Sequence, residues 1–170
     1  MLVEAGTGTV IFEKNADERR QAASVTKLMT LLICFEELEA GNLHLDDSVT
    51  VSQEAAAQIG SQALLDAGAV YSLEDLLHAT IVASANDAAS VIASDVSGGN
   101  LPAFVSMMNQ KAQELGCTGT SFTCVHGLYD YGNVSSAHDL ALIAKACAEN
   151  ETYMQVANTL SYTLPATNLH

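Results

Sequence analysis

Apolar positions recur along this chain at two periods. Leu28, Leu31, Leu32, Phe35 and Leu38 follow one another at spacings of three and four, which predicts an α-helix opening near Ser24. Gly41 stands where a left-handed C′ residue would end it. Met29, Ile33 and Cys34 put apolar side chains on its other faces, so this helix is expected to lie in the middle of the molecule. Pro102, at home in a first turn, precedes Phe104, Val105, Met108, Ala112 and Leu115, and predicts a helix that ends at Gly116. Ser72 with Asp75 has the spacing of a capping box over a helix at 73–83, and Ser136 with Asp139 the same spacing over a helix reaching 148. Ser52 caps an Ala-rich helix to about 59, and a further helix at 87–95 stops at Gly98-Gly99. Strand-like runs are few. Residues 2–5 and 10–12 flank Gly6-Thr7-Gly8 and predict a β-hairpin, 49–51 a short extended piece, and 160–164 a lone strand stopped by Pro165. The expected class is α+β, mostly helical, in a single domain over 1–170. A hairpin and a lone strand are a marginal inventory, because sheets ordinarily need more strands.

Charge narrows the list of partners. Twenty acidic residues against six basic ones give a net charge of −14. Such a chain repels nucleic acid and anionic lipid, so neither is expected as a partner. The acids come in scattered pairs, Glu36-Glu37 and Asp46-Asp47 among them, and read as solvated faces. No apolar run reaches the length of a membrane span, and the start lacks the basic-then-apolar order of a signal peptide. Cys34, Cys117, Cys124 and Cys147 form no Cys-x-x-Cys pair and no metal-ligand spacing with the histidines, so no metal or cofactor is expected. Cys34 and Cys147 read as small buried hydrophobes, and Cys117 and Cys124 as free thiols rather than a bridge. Met107 and Met108 read as core, and His44, His78, His126 and His138 as structural residues.

Candidate chemistry sits at Ser24-Val25-Thr26-Lys27. Residues three apart share a helix face, so the Lys27 amine can reach the Ser24 hydroxyl one turn earlier. Serine is a weak nucleophile that needs an adjacent base. Lysine serves when burial disfavours its charged form, and Ala22, Ala23, Val25, Leu28 and Leu31 are apolar enough for that. A helix start also offers free N–H groups to an oxyanion. Taken alone the tetrapeptide is also a common helix N-cap with a surface lysine. Ser84-Ala85-Asn86 falls on a break between two helical stretches, where a serine can relay a proton and an asparagine amide can bind substrate; its bland reading is a turn with an Asn cap.

Together the two motifs are far more specific. Ser-x-x-Lys, Ser-x-Asn and Lys-Thr-Gly are the signature set of penicillin-binding proteins and class A β-lactamases, and the first two occur here in order. Residues 23–30, Ala-Ser-Val-Thr-Lys-Leu-Met-Thr, resemble the active-site stretch of the low-molecular-weight penicillin-binding proteins, the serine D-alanyl-D-alanine carboxypeptidases. Residues 13–17, 81–88 (with Ala85 where the family more often has glycine), 104–109, His126-Gly127-Leu128 and Ser135-Ser136-Ala137 resemble further segments of that family, so the likeness covers nearly the whole chain. Tyr129, Asp130 and Tyr131 depart from its usual residues.

The resemblance implies roles. Ser24 would attack the carbonyl of the penultimate D-alanine and Lys27 would take its proton. Ser84 would pass a proton to the leaving D-alanine, and Asn86 would orient Lys27 and bind the substrate backbone. Peptidoglycan stem peptides are then the implied substrate, β-lactams the inhibitors, and the extracytoplasmic cell envelope the location. Lys-Thr-Gly is absent: the four lysines are followed by Asn15, Leu28, Ala112 and Ala146. The expectation is an incomplete catalytic domain of the penicillin-binding protein/serine β-lactamase-like fold that lacks its C-terminal sheet strands, is inactive by itself, and tends to self-associate through an exposed sheet edge. A serine β-lactamase is the first alternative, but no Glu-x-x-x-Asn or Glu-x-x-Leu-Asn segment follows Asn86 at a sensible distance to activate a deacylating water. A non-catalytic scaffold that kept two motifs is the second.

Overall fold

The computed structural model describes residues 1–128 and 130–169. Position 129, part of the departure from the family noted above, lies outside them. The expected hairpin is formed by β1 (Leu2–Val3) and β2 (Val10–Phe12), antiparallel, with Leu2 opposite Phe12 and Val3 opposite Val10 across a bulge. A two-residue strand β3 (Arg20–Gln21) leads into a 3-10 turn at Ala23–Thr26, and α1 (Lys27–Glu39) continues directly from it. Gly41, at φ +74°, follows the end of α1 as expected.

Next come β4 (Ser48–Thr50), α2 (Gln53–Ala56), β5 (Val70–Ser72), α3 (Leu73–Val82) and α4 (Asn86–Val96). The Ser72–Asp75 capping box is complete: the Asp75 N–H donates to Ser72 Oγ and the Ser72 N–H to Asp75 Oδ2. α5 (Leu101–Glu114) carries Pro102 in its first turn. After a long loop, β6 (Val134–Ser135) precedes α6 (Ala137–Glu149) and α7 (Glu151–Ala157). The class is α+β, as the sequence implies.

The core divides at α1. Leu31, Cys34 and Phe35 pack with α3, α4 and the β4–β5 pair, while Met29, Leu32 and Ile33 pack with Phe104 and Met108 of α5 and Ile143 and Cys147 of α6. A helix apolar on several faces thus lies between two clusters and holds the molecule together. All four cysteines are free thiols. No helix among the described residues is long and apolar enough to cross a membrane.

Four expectations need correction. The helix after Ser52 ends at Ala56, not near 59. Residues 160–164 form no strand: the segment lies along α3, with the Tyr162 ring stacked on His78 (centroids 3.9 Å apart, planes 7° from parallel) and its hydroxyl donating to Asp75 Oδ1 at 2.8 Å. Side-chain docking, rather than ladder pairing, takes up its alternating pattern. The sheet is also not a hairpin with one stray strand; the described residues form three two-stranded pairs, β1–β2, β3–β6 and β4–β5, all antiparallel. Finally, Ser136 caps α6 through the Asp139 N–H, but the Asp139 carboxylate does not reach back: it accepts from the Gly119 N–H and the Thr120 hydroxyl and ties the long loop to the helix start.

Candidate active site

The sequence 22–27 turns sharply before it becomes α-helical. Ala23 adopts φ +46°, a left-handed conformation that costs a residue bearing a Cβ roughly 1–3 kcal/mol when its surroundings enforce it. Gly127 packs against this turn. A Cβ at Gly127, itself at φ +85°, would stand 1.8 Å from the Ala23 carbonyl oxygen, so the 125–128 loop presses directly on this turn. The consequence is that Ser24 is exposed on a 3-10 turn while Thr26 and Lys27, one turn on, are buried.

Ser84 is the second residue with a Cβ held in the left-handed region at this site, at φ +53° between α3 and α4. This kink turns Ser84 toward Lys27. The Lys27 Nζ donates to the His126 carbonyl at 2.9 Å, to Ser24 Oγ at 3.3 Å and to Ser84 Oγ at 3.4 Å. Ser24, one turn before Lys27, and Ser84, distant in sequence, therefore meet at one nitrogen. Lys27 is only 3% exposed. Burial pushes its pKa down to about 8, against a smaller opposing effect of the Cys124 sulfur. Burial, and then the neighbouring Lys27 charge, also hold His126 below the usual histidine value, so its imidazole stays neutral near pH 7 and acts through its Nδ1, which accepts from the Leu128 N–H.

Asn86 opens α4, next to Ser84, and is buried. Its Nδ2 donates to the Ile59 carbonyl at 2.6 Å and its backbone N–H to the Ser61 carbonyl at 2.7 Å. The expected contact of Asn86 with Lys27 is not formed: the three acceptors of the Lys27 amine are Ser24, Ser84 and the His126 carbonyl. One of those acceptors is thus a backbone oxygen on the facing loop.

Sequence reading missed that oxygen because a backbone carbonyl leaves no residue signature. It also missed what holds the loop in place. Thr30 Oγ1 donates to the Val125 carbonyl at 2.6 Å, and Asn133 Nδ2 donates to Thr26 Oγ1 at 2.8 Å, so α1 grips the loop on either side of Lys27. Spacing gives a partial hint, since Thr26, Lys27 and Thr30 share one side of the helix start. No group of three or more His, Cys, Asp or Glu side chains among the described residues could hold a metal ion.

An exposed hydroxyl, a buried amine of lowered pKa beside it and a second hydroxyl beyond form an arrangement suited to acyl transfer. The sequence model of the D-alanyl-D-alanine carboxypeptidase family matches residues 1–167. The chain belongs to that family. Among curated carboxypeptidases of this family, it is 39% identical over 159 residues to D-alanyl-D-alanine carboxypeptidase DacF of Bacillus subtilis, which covers 94% of the chain and 41% of DacF. It is 39% identical over 153 residues to DacC of Escherichia coli, which covers 86% of the chain and 38% of DacC. Its fold superposes on the D-alanyl-D-alanine carboxypeptidase DacD of Francisella tularensis with a TM-score of 0.88 at 37% identity, over 91% of the chain and 38% of that structure. Penicillin binding protein 6B of Escherichia coli matches with a TM-score of 0.89 at 33% identity, over 95% of the chain and 53% of that structure. The chain thus spans about two fifths of the length of these curated carboxypeptidases.

Proposed function

We propose that the protein containing residues 1–170 is a serine-type D-Ala-D-Ala carboxypeptidase that trims peptidoglycan stem peptides through an acyl-enzyme on Ser24. The supporting observation is the Lys27 amine, buried and shared between Ser24 Oγ and Ser84 Oγ at 3.3 and 3.4 Å. With its pKa near 8, a usable fraction of Lys27 is neutral at pH 7 to 8 and can accept a proton.

In this reading Ser24 Oγ attacks the carbonyl of the penultimate D-alanine, and its proton passes to Lys27 Nζ. The carbonyl oxygen becomes an oxyanion facing the Ser24 N–H at the start of the 3-10 turn; the next N–H, that of Val25, already donates to the Ala22 carbonyl. The amide C–N bond then breaks. Ser84, bonded to Lys27, relays the proton to the departing amine of the terminal D-alanine. Asn86 binds the substrate backbone. Water, deprotonated by the same amine, then adds to the acyl carbon, the ester bond to Ser24 Oγ breaks, and Lys27 returns the proton to Ser24 as the shortened peptide leaves. A β-lactam acylates Ser24 in the same way. The reaction belongs outside the cytoplasm, in the cell envelope. Residues 1–170 supply the nucleophile side of the catalytic domain; a Lys-Thr-Gly strand elsewhere in the protein would bind the terminal carboxylate.

The test is release of D-alanine from diacetyl-Lys-D-Ala-D-Ala by the whole protein, with Ser24→Ala as control. Release that survives Ser24→Ala, or a folded protein that releases none, would overturn the reading. Fast turnover of a chromogenic cephalosporin would instead favour a β-lactamase. Against that outcome, Glu114, in the stretch after Asn86, is paired with Lys111 on α5.

A further inference from the structure

Asp87, next to the second motif, belongs to none of the steps above, yet it is fully buried at the N-terminus of α4. Its carboxylate accepts from three backbone N–H groups. Oδ1 takes those of Ala63 at 3.0 Å and Ala88 at 2.9 Å, and Oδ2 takes that of Leu65 at 3.1 Å. Two of these donors lie in the 59–65 loop, more than twenty residues earlier in the chain. The same loop gives two carbonyls back to Asn86: Ile59 accepts from Nδ2 and Ser61 from the backbone N–H.

The exchange is reciprocal and covers both faces of the peptide units. Carbonyls of the first part of the loop bind Asn86, and N–H groups of the second part bind Asp87. To run past the helix start in this way the chain reverses locally, with Gly60 at φ +88° and Leu64 at φ +60°. Gly60 has no room for a side chain: a Cβ there would lie 2.9 Å from Asn86 Nδ2 and 3.3 Å from Leu128 Cδ2. The loop therefore touches both the Asn86 amide and the 126–128 loop whose carbonyl holds Lys27.

We propose that Asp87 is a positioning residue: it latches the 59–65 loop across the start of α4 and thereby fixes the Asn86 amide and one wall of the reacting site. A carboxylate suits the task because it offers acceptors on two oxygens and no donor, so three N–H groups can converge on it. An asparagine at 87 turns one of those acceptors into an NH2 that faces a backbone N–H. The loop then loses an anchor and gains a repulsive contact, while the volume of the side chain stays the same. The kinetic part of this inference rests on the acyl-transfer reading; the latch itself does not.

The experiment compares the wild-type whole protein with Asp87→Asn, using hydrogen–deuterium exchange of 59–65 in the free protein and the second-order rate of Ser24 acylation by a fluorescent penicillin. Exchange in 59–65 is expected to speed up while α1, α5 and α6 keep their protection. Acylation is expected to slow by about 10- to 100-fold, as for a reacting group displaced by part of an ångström. Unchanged exchange in the loop, or a loosened loop with an unchanged acylation rate, overturns the proposal. Gly60→Ala provides the check if Asp87→Asn does not fold. It disturbs the loop at Asn86 with the carboxylate intact, and the same slowing of acylation is expected; a wild-type rate overturns the proposal. A wild-type protein that penicillin does not label counts against the acyl-transfer reading, and the exchange measurement still decides the latch.

Discussion

At the scale of single residues, the site depends on an amine kept in an environment that disfavours its charge. Burial lowers the Lys27 pKa from its ordinary 10.5 to about 8. If Lys27 is the base, its neutral form reacts, so acylation of Ser24 should be slow below pH 7, rise through about pH 8 and level off above it. A pH–rate profile that is flat from 6 to 9 would contradict this. The same shift has a consequence for stability. Because the folded pKa lies below the unfolded one, the unfolded chain holds more protons between pH 8 and 10.5, and folding stability rises across that window. Below pH 8 the folded protein carries the full penalty of a buried charge. Lys27→Met should therefore abolish acylation yet stabilise the fold at pH 7 by about 1 kcal/mol, with the gain vanishing as the pH passes 10.5. Urea denaturation at pH 7 and pH 10.5 measures it.

At the scale of elements, the helices that carry the site were legible in the sequence and the small sheets were not. α1 announced itself by spacings of three and four and by Gly41, and α3 by Ser72 and Asp75. Both rest on local chemistry that a sequence displays. β3 and β6 are two residues each, Arg20–Gln21 and Val134–Ser135, and no periodic pattern fits in two residues. α7 also carries a local signal: Asn150 Oδ1 accepts from the Tyr153 N–H, and Tyr153 and Val156 are apolar at a spacing of three. The pair Ser24 and Lys27 could be found from sequence because side-chain identity carries it. The His126 carbonyl and the left-handed Ala23 could not, because backbone geometry carries them. Two variants test these elements. Ser72→Ala removes half of the capping box of α3 and should cost about 1 kcal/mol, read as a lower melting temperature. Gly127→Ala should be far more damaging. Its Cβ cannot share space with the Ala23 carbonyl, so the loop must withdraw and take the acceptor of Lys27 with it. Acylation should fall together with the melting temperature; retention of both at wild-type values would show that the loop does not clamp the turn.

At the scale of the whole molecule, the two core clusters on either side of α1 explain how a mostly helical body holds three small strand pairs. The hairpin gathers four of the exposed apolar side chains in one place. Ile11 and Phe12 are 62% and 61% exposed, and Leu2 and Val10 beside them are also exposed. Adjacent apolar side chains on a two-stranded ribbon make a surface that favours association. Residues 1–170 expressed alone are expected to self-associate as concentration rises, and Ile11→Lys with Phe12→Lys to reverse it. Sedimentation velocity across a hundredfold range of concentration checks this, and a wild-type fragment that stays monomeric throughout would contradict it. The surplus of acidic residues, twenty against six basic ones, opposes that association at low salt, so it should strengthen as salt is added.

The central claim is that Ser24 is a nucleophile activated by Lys27. Mass spectrometry of the whole protein after exposure to benzylpenicillin tests it most directly. The account predicts one added penicilloyl group on the peptide that contains Ser24, with none on the Ser24→Ala or Lys27→Met protein. A folded protein whose Ser24 stays unmodified, or a label on any other residue, would contradict it.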